Sequence, residues 1–249
     1  MAELMPGRKR VTPGAIAADV LVLVWFVFSL FPILWMVLLA LKSSAEQTST
    51  YFAFTPTLEN FGTVVSQRGT DLTSVDFTSA ILNSILNCAG AVIVSLVVGI
   101  PSAYAAGRWK YRGSEDLMFQ MLSFRFAPEL MVIVPLFVIY NQIGLFDTFY
   151  GMIWVLQLVT MPLVRPGIAA AALLAFIFAW NNYVFPLILT DSAATPVTVA
   201  VTKFLGGGGQ AYYNLTAAAA LIGALPPLIL ALTIQRYLVR GLSFGAVKA

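Results

Sequence analysis

The sequence predicts an all-α membrane protein, a bundle of six transmembrane helices whose fourth helix is truncated. Three observations predict it. The chain of 249 residues is 59% hydrophobic and only 10% charged, with a mean hydropathy of +0.87, well outside the balance of a soluble domain. Four uncharged runs of 20 or more residues lie along it. The basic residues gather on alternate sides of the spans these runs define.

Taken in order, residues 1–13 hold Arg8, Lys9 and Arg10 and read as a cytoplasmic N-terminus of a membrane domain over 14–240. The first span, 20–41, is 22 residues without a charge, about 33 Å as a helix and long enough for a bilayer core. The apolar part of a cleaved signal peptide is about half that length. A polar connection over 42–80 follows, then a second span, 82–106. The third, 117–140, has the right length but carries Arg125 and Glu129. The fourth, 149–164, is uncharged and begins like a helix, yet only residues 149–160 continue as one before Met161, Pro162, Arg165 and Pro166. Twelve helical residues cover about 18 Å of a core about 30 Å thick. The fifth span is 167–189, the sixth 215–235, and 241–249 read as a cytoplasmic tail.

With six spans and the N-terminus inside, ten Lys and Arg fall on the inner side, including Arg108, Lys110, Arg112, Arg165, Arg236, Arg240 and Lys248. Three, Lys42, Arg68 and Lys203, fall outside, and Arg125 lies within a span. Omitting the short fourth span reduces the balance to seven against six. The short segment is therefore read as a crossing.

Composition narrows function. A net charge of +3 is spread between apolar runs rather than along one face, which argues against nucleic acid as a partner. Cys88 is the only cysteine, so the chain forms no internal disulfide. Histidine is absent, which removes the commonest metal ligand and general base. No metal, cofactor or catalytic role is expected, and a membrane-embedded enzyme is disfavoured.

Several motifs remain. Gly206, Gly207, Gly208 and Gly209 lack the Lys-Ser/Thr and the strand–helix context of a phosphate loop. They read either as a flexible connection in the outer segment 191–214 or as a tip that reaches a partner's cleft. Any ATP-derived energy must then come from another subunit. Arg125 and Glu129, four apart, share a helix face as an intramembrane ion pair, either fixing the packing or contacting substrate or a gate. "WNNYVF", 180–185, sets Asn181, Asn182 and Tyr183 late in the fifth span. Amides there bond across helices, and aromatic faces with amides also suit sugars, so both interhelical packing and a substrate path stand open. Pro32, Pro101, Pro135, Pro186, Pro226 and Pro227 each remove a backbone donor within a span.

"AYAAGRWKYRG" from Ala103, "PLFVIYNQIGLFDTFYGMIW" from Pro135, "PLVRPGIAAAALLAFIFAWNNYVFPLIL" from Pro162 and "IQRYLVRGLSFGAVKA" from Ile234 together resemble the MalG-like permease subunits of bacterial ABC sugar importers. The resemblance covers nearly the whole chain. It implies a type I importer permease in the bacterial inner membrane, working with a second homologous permease, two ATP-binding cassette ATPase subunits and an extracytoplasmic sugar-binding protein. It also implies that the glycine loop probes the binding protein. Met161, Pro162, Arg165, Gly245 and Lys248 are the candidates for facing the ATPases, with Arg165 read as an inner-surface anchor rather than a coupling residue. A self-contained ion-coupled secondary transporter is the alternative; it would show inverted repeats and further intramembrane charges, and neither is evident.

Such permeases carry, between the fourth and fifth spans, a loop reading Glu-Ala-Ala, then Gly, then Leu-Pro, which docks on the ATPase as a coupling helix. Here only Met161-Pro162 stands at its end. The fourth span is expected to have lost its cytoplasmic end together with that loop, either by a true deletion or because the sequence represents a longer permease incompletely.

Overall fold

The computed structural model describes residues 13–49, 52–66, 76–109, 112–123, 129–160, 168–206 and 211–246. Ten helices, and no strand, occur among the described residues. They are α1 (Pro13–Ala40), α2 (Glu59–Ser66), α3 (Phe77–Arg108), α4 (Ser114–Ser123), α5 (Glu129–Gln142), α6 (Phe149–Thr160), α7 (Ile168–Asn181), α8 (Val184–Leu189), α9 (Val197–Lys203) and α10 (Tyr213–Ala246).

Three helices are long and apolar enough to cross a bilayer: Pro13–Ala40, Phe77–Ala105 and Tyr213–Ile234. They correspond to the first, second and sixth expected spans. Beyond Asp19, α1 is apolar on every side, and each residue from 13 to 34 is exposed. A helix of that kind is stable in lipid or against another apolar chain, not in water. Its C-terminal turns are held where Met36, Leu39 and Ala40 join the core beside α10.

α3 begins earlier than residue 82 because Asp76 caps it. The Asp76 carboxylate accepts from the backbone N–H of Thr78 at 2.9 Å and of Ser79 at 3.3 Å, satisfying donors that no helical carbonyl can reach. α10 continues past residue 240 to Ala246, so the expected tail starts as helix. Helical structure also runs through Pro32, Pro101, Pro135, Pro226 and Pro227.

The remaining expected spans are built from shorter pieces. The described parts of 117–140 lie in α4 and α5. The single helix expected over 167–189 is two, α7 and α8, with Asn182 and Tyr183 between them. Pro186 supplies the cause: it has no N–H to give the carbonyl of Asn182, four residues earlier, and its ring crowds that carbonyl. The Thr198 hydroxyl donates to the orphaned Asn182 carbonyl instead, at 3.1 Å.

α6 lies against α3 and runs parallel to it. A Cβ built on Gly90 would come within 2.6 Å of Ile153 Cδ1, so the helices approach closely there. Further along, Gln157 Nε2 donates to the Ala91 carbonyl and Ser95 Oγ donates to Gln157 Oε1, both at 2.7 Å and both buried. From Ser95, α3 continues about 20 Å to Arg108; α6 is described for about 5 Å past Gln157, to Thr160.

Candidate functional site

The polar chemistry of the molecule gathers at one end of the bundle, where α1 finishes, α3 and α10 begin, and α5 turns into α6. Three linkages build it. Asn60, 4% exposed on α2, donates through Nδ2 to the carbonyls of Ala40 and Lys42, each at 2.7 Å. Its Oδ1 accepts from Asn214 Nδ2 at 2.8 Å, so one amide satisfies the last carbonyls of α1 and ties them to the start of α10. Lys42, 1% exposed, donates from Nζ to the Ser49 carbonyl at 2.7 Å and lies 5.1 Å from the Trp35 ring centroid and 5.3 Å from that of Phe54. Ring faces and a carbonyl together offset the loss of water around that ammonium.

The third linkage is Asp147. The turn after α5 uses Gly144 at φ +72° and Asp147 at φ +51°, a conformation open to short polar residues such as Asp. It is closed by Tyr140 Oη donating to the Gly151 carbonyl at 2.9 Å and by Thr148 Oγ1 donating to the Leu145 carbonyl at 2.8 Å. Held there, the Asp147 carboxylate accepts four backbone N–H bonds, from Asp191 and Ala194 at 3.0 Å, Ser192 at 3.2 Å and Ala193 at 2.9 Å. Partial burial works to raise its pKa, and those four N–H donors, Ala194 first, outweigh the burial and hold the carboxyl below its ordinary range. Asn83 Nδ2 on α3 donates to the carbonyl of Ala193 on the same segment at 2.9 Å.

Beneath this end lies the break in the fifth span. Asn181 is exposed, Tyr183 is 36% exposed with its hydroxyl 3.5 Å from Thr202 Oγ1, and Asn182 is buried. The three expected path residues therefore do not share an environment: Asn181 and Tyr183 reach the surface and Asn182 faces inward. Asn182, Trp180 and Ala179 line a small cavity with Ser84, Asn87 and Cys88 of α3 and Met152 and Leu156 of α6.

Of the other expected site residues, Gly206 ends the turn after α9 and Gly245 lies in the last turn of α10. Arg125, Gly207, Gly208, Gly209, Met161, Pro162, Arg165 and Lys248 lie outside the described residues, as does the side chain of Glu129. Among the described residues no group of three or more Cys, Asp or Glu could hold a metal ion.

No protein-family model matches the chain. The trehalose transport system permease protein SugB of Mycobacterium tuberculosis (strain CDC 1551 / Oshkosh) is 31% identical over 283 positions, covering 97% of this chain and 99% of that protein. The chain belongs to the permease family of ABC sugar importers. The permease is also 25% identical to the trehalose/maltose transport system permease protein MalG of Thermococcus litoralis, over 89% of this chain and 92% of that one. The diacetylchitobiose uptake system permease protein DasC of Streptomyces coelicolor is 24% identical, over 96% and 99%. The fold matches a solved bacterial ABC transporter involved in importing the acidic polysaccharide alginate, with a TM-score of 0.72 at 18% identity, over 94% of this permease and 99% of that chain. The SugB alignment has 283 positions while 97% of 249 residues are matched, so SugB carries roughly 40 positions that this permease lacks.

Asn87, Asp147 and the Asn60–Asn214 pair were not singled out by sequence reasoning. Asp147 stands inside the quoted "GLFDT", but its partners lie more than 40 residues away, and Asn87 is one polar letter in an apolar run.

Proposed function

We propose that this permease forms half of the translocation path of a carbohydrate importer in the bacterial inner membrane. It is paired with a second homologous permease, driven by two ATPase subunits and fed by an extracytoplasmic sugar-binding protein. The observation that carries this reading is the SugB match, which spans nearly all of both chains. The polar end built by Lys42, Asn60, Asp147 and Asn214 faces outward, because Lys42 and Lys203 are its few cations while Arg108, Arg112, Arg236 and Arg240 belong to the opposite side. Both termini are then cytoplasmic. Asn181 and Tyr183, the accessible members of the break, contact the sugar, and the Gly206–Gly209 tip meets the binding protein.

One observation supports loss of the coupling loop from between α6 and α7: the SugB alignment leaves roughly 40 positions without a counterpart here. ATP hydrolysis is then transmitted poorly through this subunit, because the element that docks on the ATPase is missing. Met161, Pro162 and Arg165 mark the junction, and Gly245 and Lys248 remain its candidate ATPase contacts.

Purification of the tagged permease from its own membranes tests the assignment. Recovery of a sister permease and two ATPase chains is expected, with binding of the sugar-loaded binding protein to the reconstituted assembly. Recovery of the permease alone, with solute uptake in liposomes free of nucleotide, would overturn the importer reading.

A further inference from the structure

The cavity at the break holds a set of polar atoms with no partner. Asn87 is 1% exposed in the middle of α3, yet neither its Nδ2 nor its Oδ1 makes a hydrogen bond, and Oδ1 of Asn182, 9% exposed, is equally unpartnered. Both residues line the same cavity, whose volume is about 10 Å³, together with Ser84, whose hydroxyl oxygen already accepts from the Val197 N–H at 2.7 Å. A buried amide left without partners is costly, and buried polar groups in folded proteins are satisfied by protein or by ordered water. An apolar cavity of this size stays dry, whereas one lined by several free donors and acceptors with room for one solvent molecule holds water.

The geometry points to a binding site for a single buried water molecule between Asn87 of α3 and Asn182 at the α7–α8 break. The chemistry of the lining fits water closely. Asn87 offers a donor and an acceptor, Asn182 offers an acceptor, and a water molecule can give two hydrogen bonds and receive two. No charged side chain lines the space, so an ion would find no counter-charge there. The water sits where Pro186 has already opened the helix, and its bonds can lengthen or switch as α8 changes angle to α7, keeping the amides satisfied. The break is a wet joint rather than a packed one.

Hydroxyl-radical labelling by pulsed X-rays in H2(18O) tests this on the permease within its co-purified assembly. Bound water close to a side chain generates radicals locally, and the cavity is lined by the reactive Met152, Cys88 and Trp180, all 4% exposed or less. Those three are expected to be labelled well above Phe77 and Phe204, which are as deeply buried and do not line the cavity. Asn87→Leu, close in shape and without hydrogen-bonding atoms, is expected to lower that labelling at least about fivefold by drying the site. Asn182→Leu is expected to do the same and serves where Asn87→Leu does not assemble. Unlabelled Met152, Cys88 and Trp180 in the wild type would overturn the site. So would labelling that neither substitution changes, since it would then arise from opening of the bundle.

Discussion

The carboxylate of Asp147 accepts the backbone N–H of Ala194 at 3.0 Å, joining the α5–α6 turn to a segment 47 residues further along the chain. Three neighbouring N–H groups, of Asp191, Ser192 and Ala193, share the same carboxylate, and the Asp147 N–H donates back to the Leu189 carbonyl at 3.0 Å. One side chain thus fixes the exit of α8 against the entry of α6. Asp147→Asn keeps a residue that tolerates φ +51° but has one carbonyl oxygen in place of a charged pair, so a loss of about 1.5–3 kcal/mol is expected. Asp147→Ala removes every acceptor and adds backbone strain, and is expected to cost more. Thermal unfolding of the detergent-solubilised permease, read by intrinsic fluorescence, orders the three proteins; a Tm for Asp147→Ala at or above that of Asp147→Asn contradicts the assignment.

The same carboxylate sets an acid limit. Its pKa is lowered in the folded state, so the folded permease binds that proton less readily than the unfolded chain, and the contribution is fully present above the unfolded value of about 3.9. It is lost as the pH falls through the lower, folded value. The stability difference between wild type and Asp147→Asn is therefore expected to be constant from about pH 7 down to pH 5 and to shrink below about pH 4. Unfolding midpoints across that range check it, and a gap that widens on acidification reverses the sign.

Two glycines distinguish rigid from yielding contacts. A Cβ on Gly151 would meet the backbone carbonyl oxygen of Leu145, which the turn holds in place, whereas one on Gly90 would meet the flexible end of Ile153. Gly151→Ala is expected to destabilise by about 1–3 kcal/mol or more and Gly90→Ala by less, since an isoleucine tip can rotate away. Equal losses would show that α3 and α6 cannot adjust at Ile153.

The buried contact between Ser95 and Gln157 is amenable to a double-mutant cycle. Ser95→Ala and Gln157→Leu each remove one side of the 2.7 Å bond. Hydrogen bonds between helices in membranes couple by about 0.6 kcal/mol on average, and a value of about 0.5–1.7 kcal/mol is expected for this one. A coupling of zero in reversible unfolding would mean that the Ser95 bond adds nothing and that α6 is held on α3 by packing and by the bond from Gln157 to the Ala91 carbonyl.

The long helices were legible because a run such as 20–41 has no charge and no competing period. The break in the fifth span was half legible: Pro186 was marked as removing a donor, but whether a span bends or stops there depends on Thr198, which supplies the missing partner from another element. Asp147, Asn60 and Asn214 were illegible as a site because each acts on backbone groups far away in sequence. The shortness of the fourth span is a reading from sequence length alone, since residues 161–167 lie outside the described residues.

That shortness makes the last prediction. Intact mass comes first, since a value of 26.9 kDa shows that the expressed chain lacks the segment as the sequence does. Assembled in vesicles with its partners, this permease is expected to give weak stimulation of ATP hydrolysis by sugar-loaded binding protein. Finishing α6 across the membrane takes about eight residues, and a coupling helix needs a further stretch, so the roughly 40 positions present in SugB suffice for both. Grafting them between Thr160 and Arg165 is expected to raise the stimulated rate several-fold while leaving the basal rate of the ATPases unchanged. If the ungrafted permease already matches the graft, coupling runs through another contact, and the C-terminal end of α10 with Gly245 becomes the place to look.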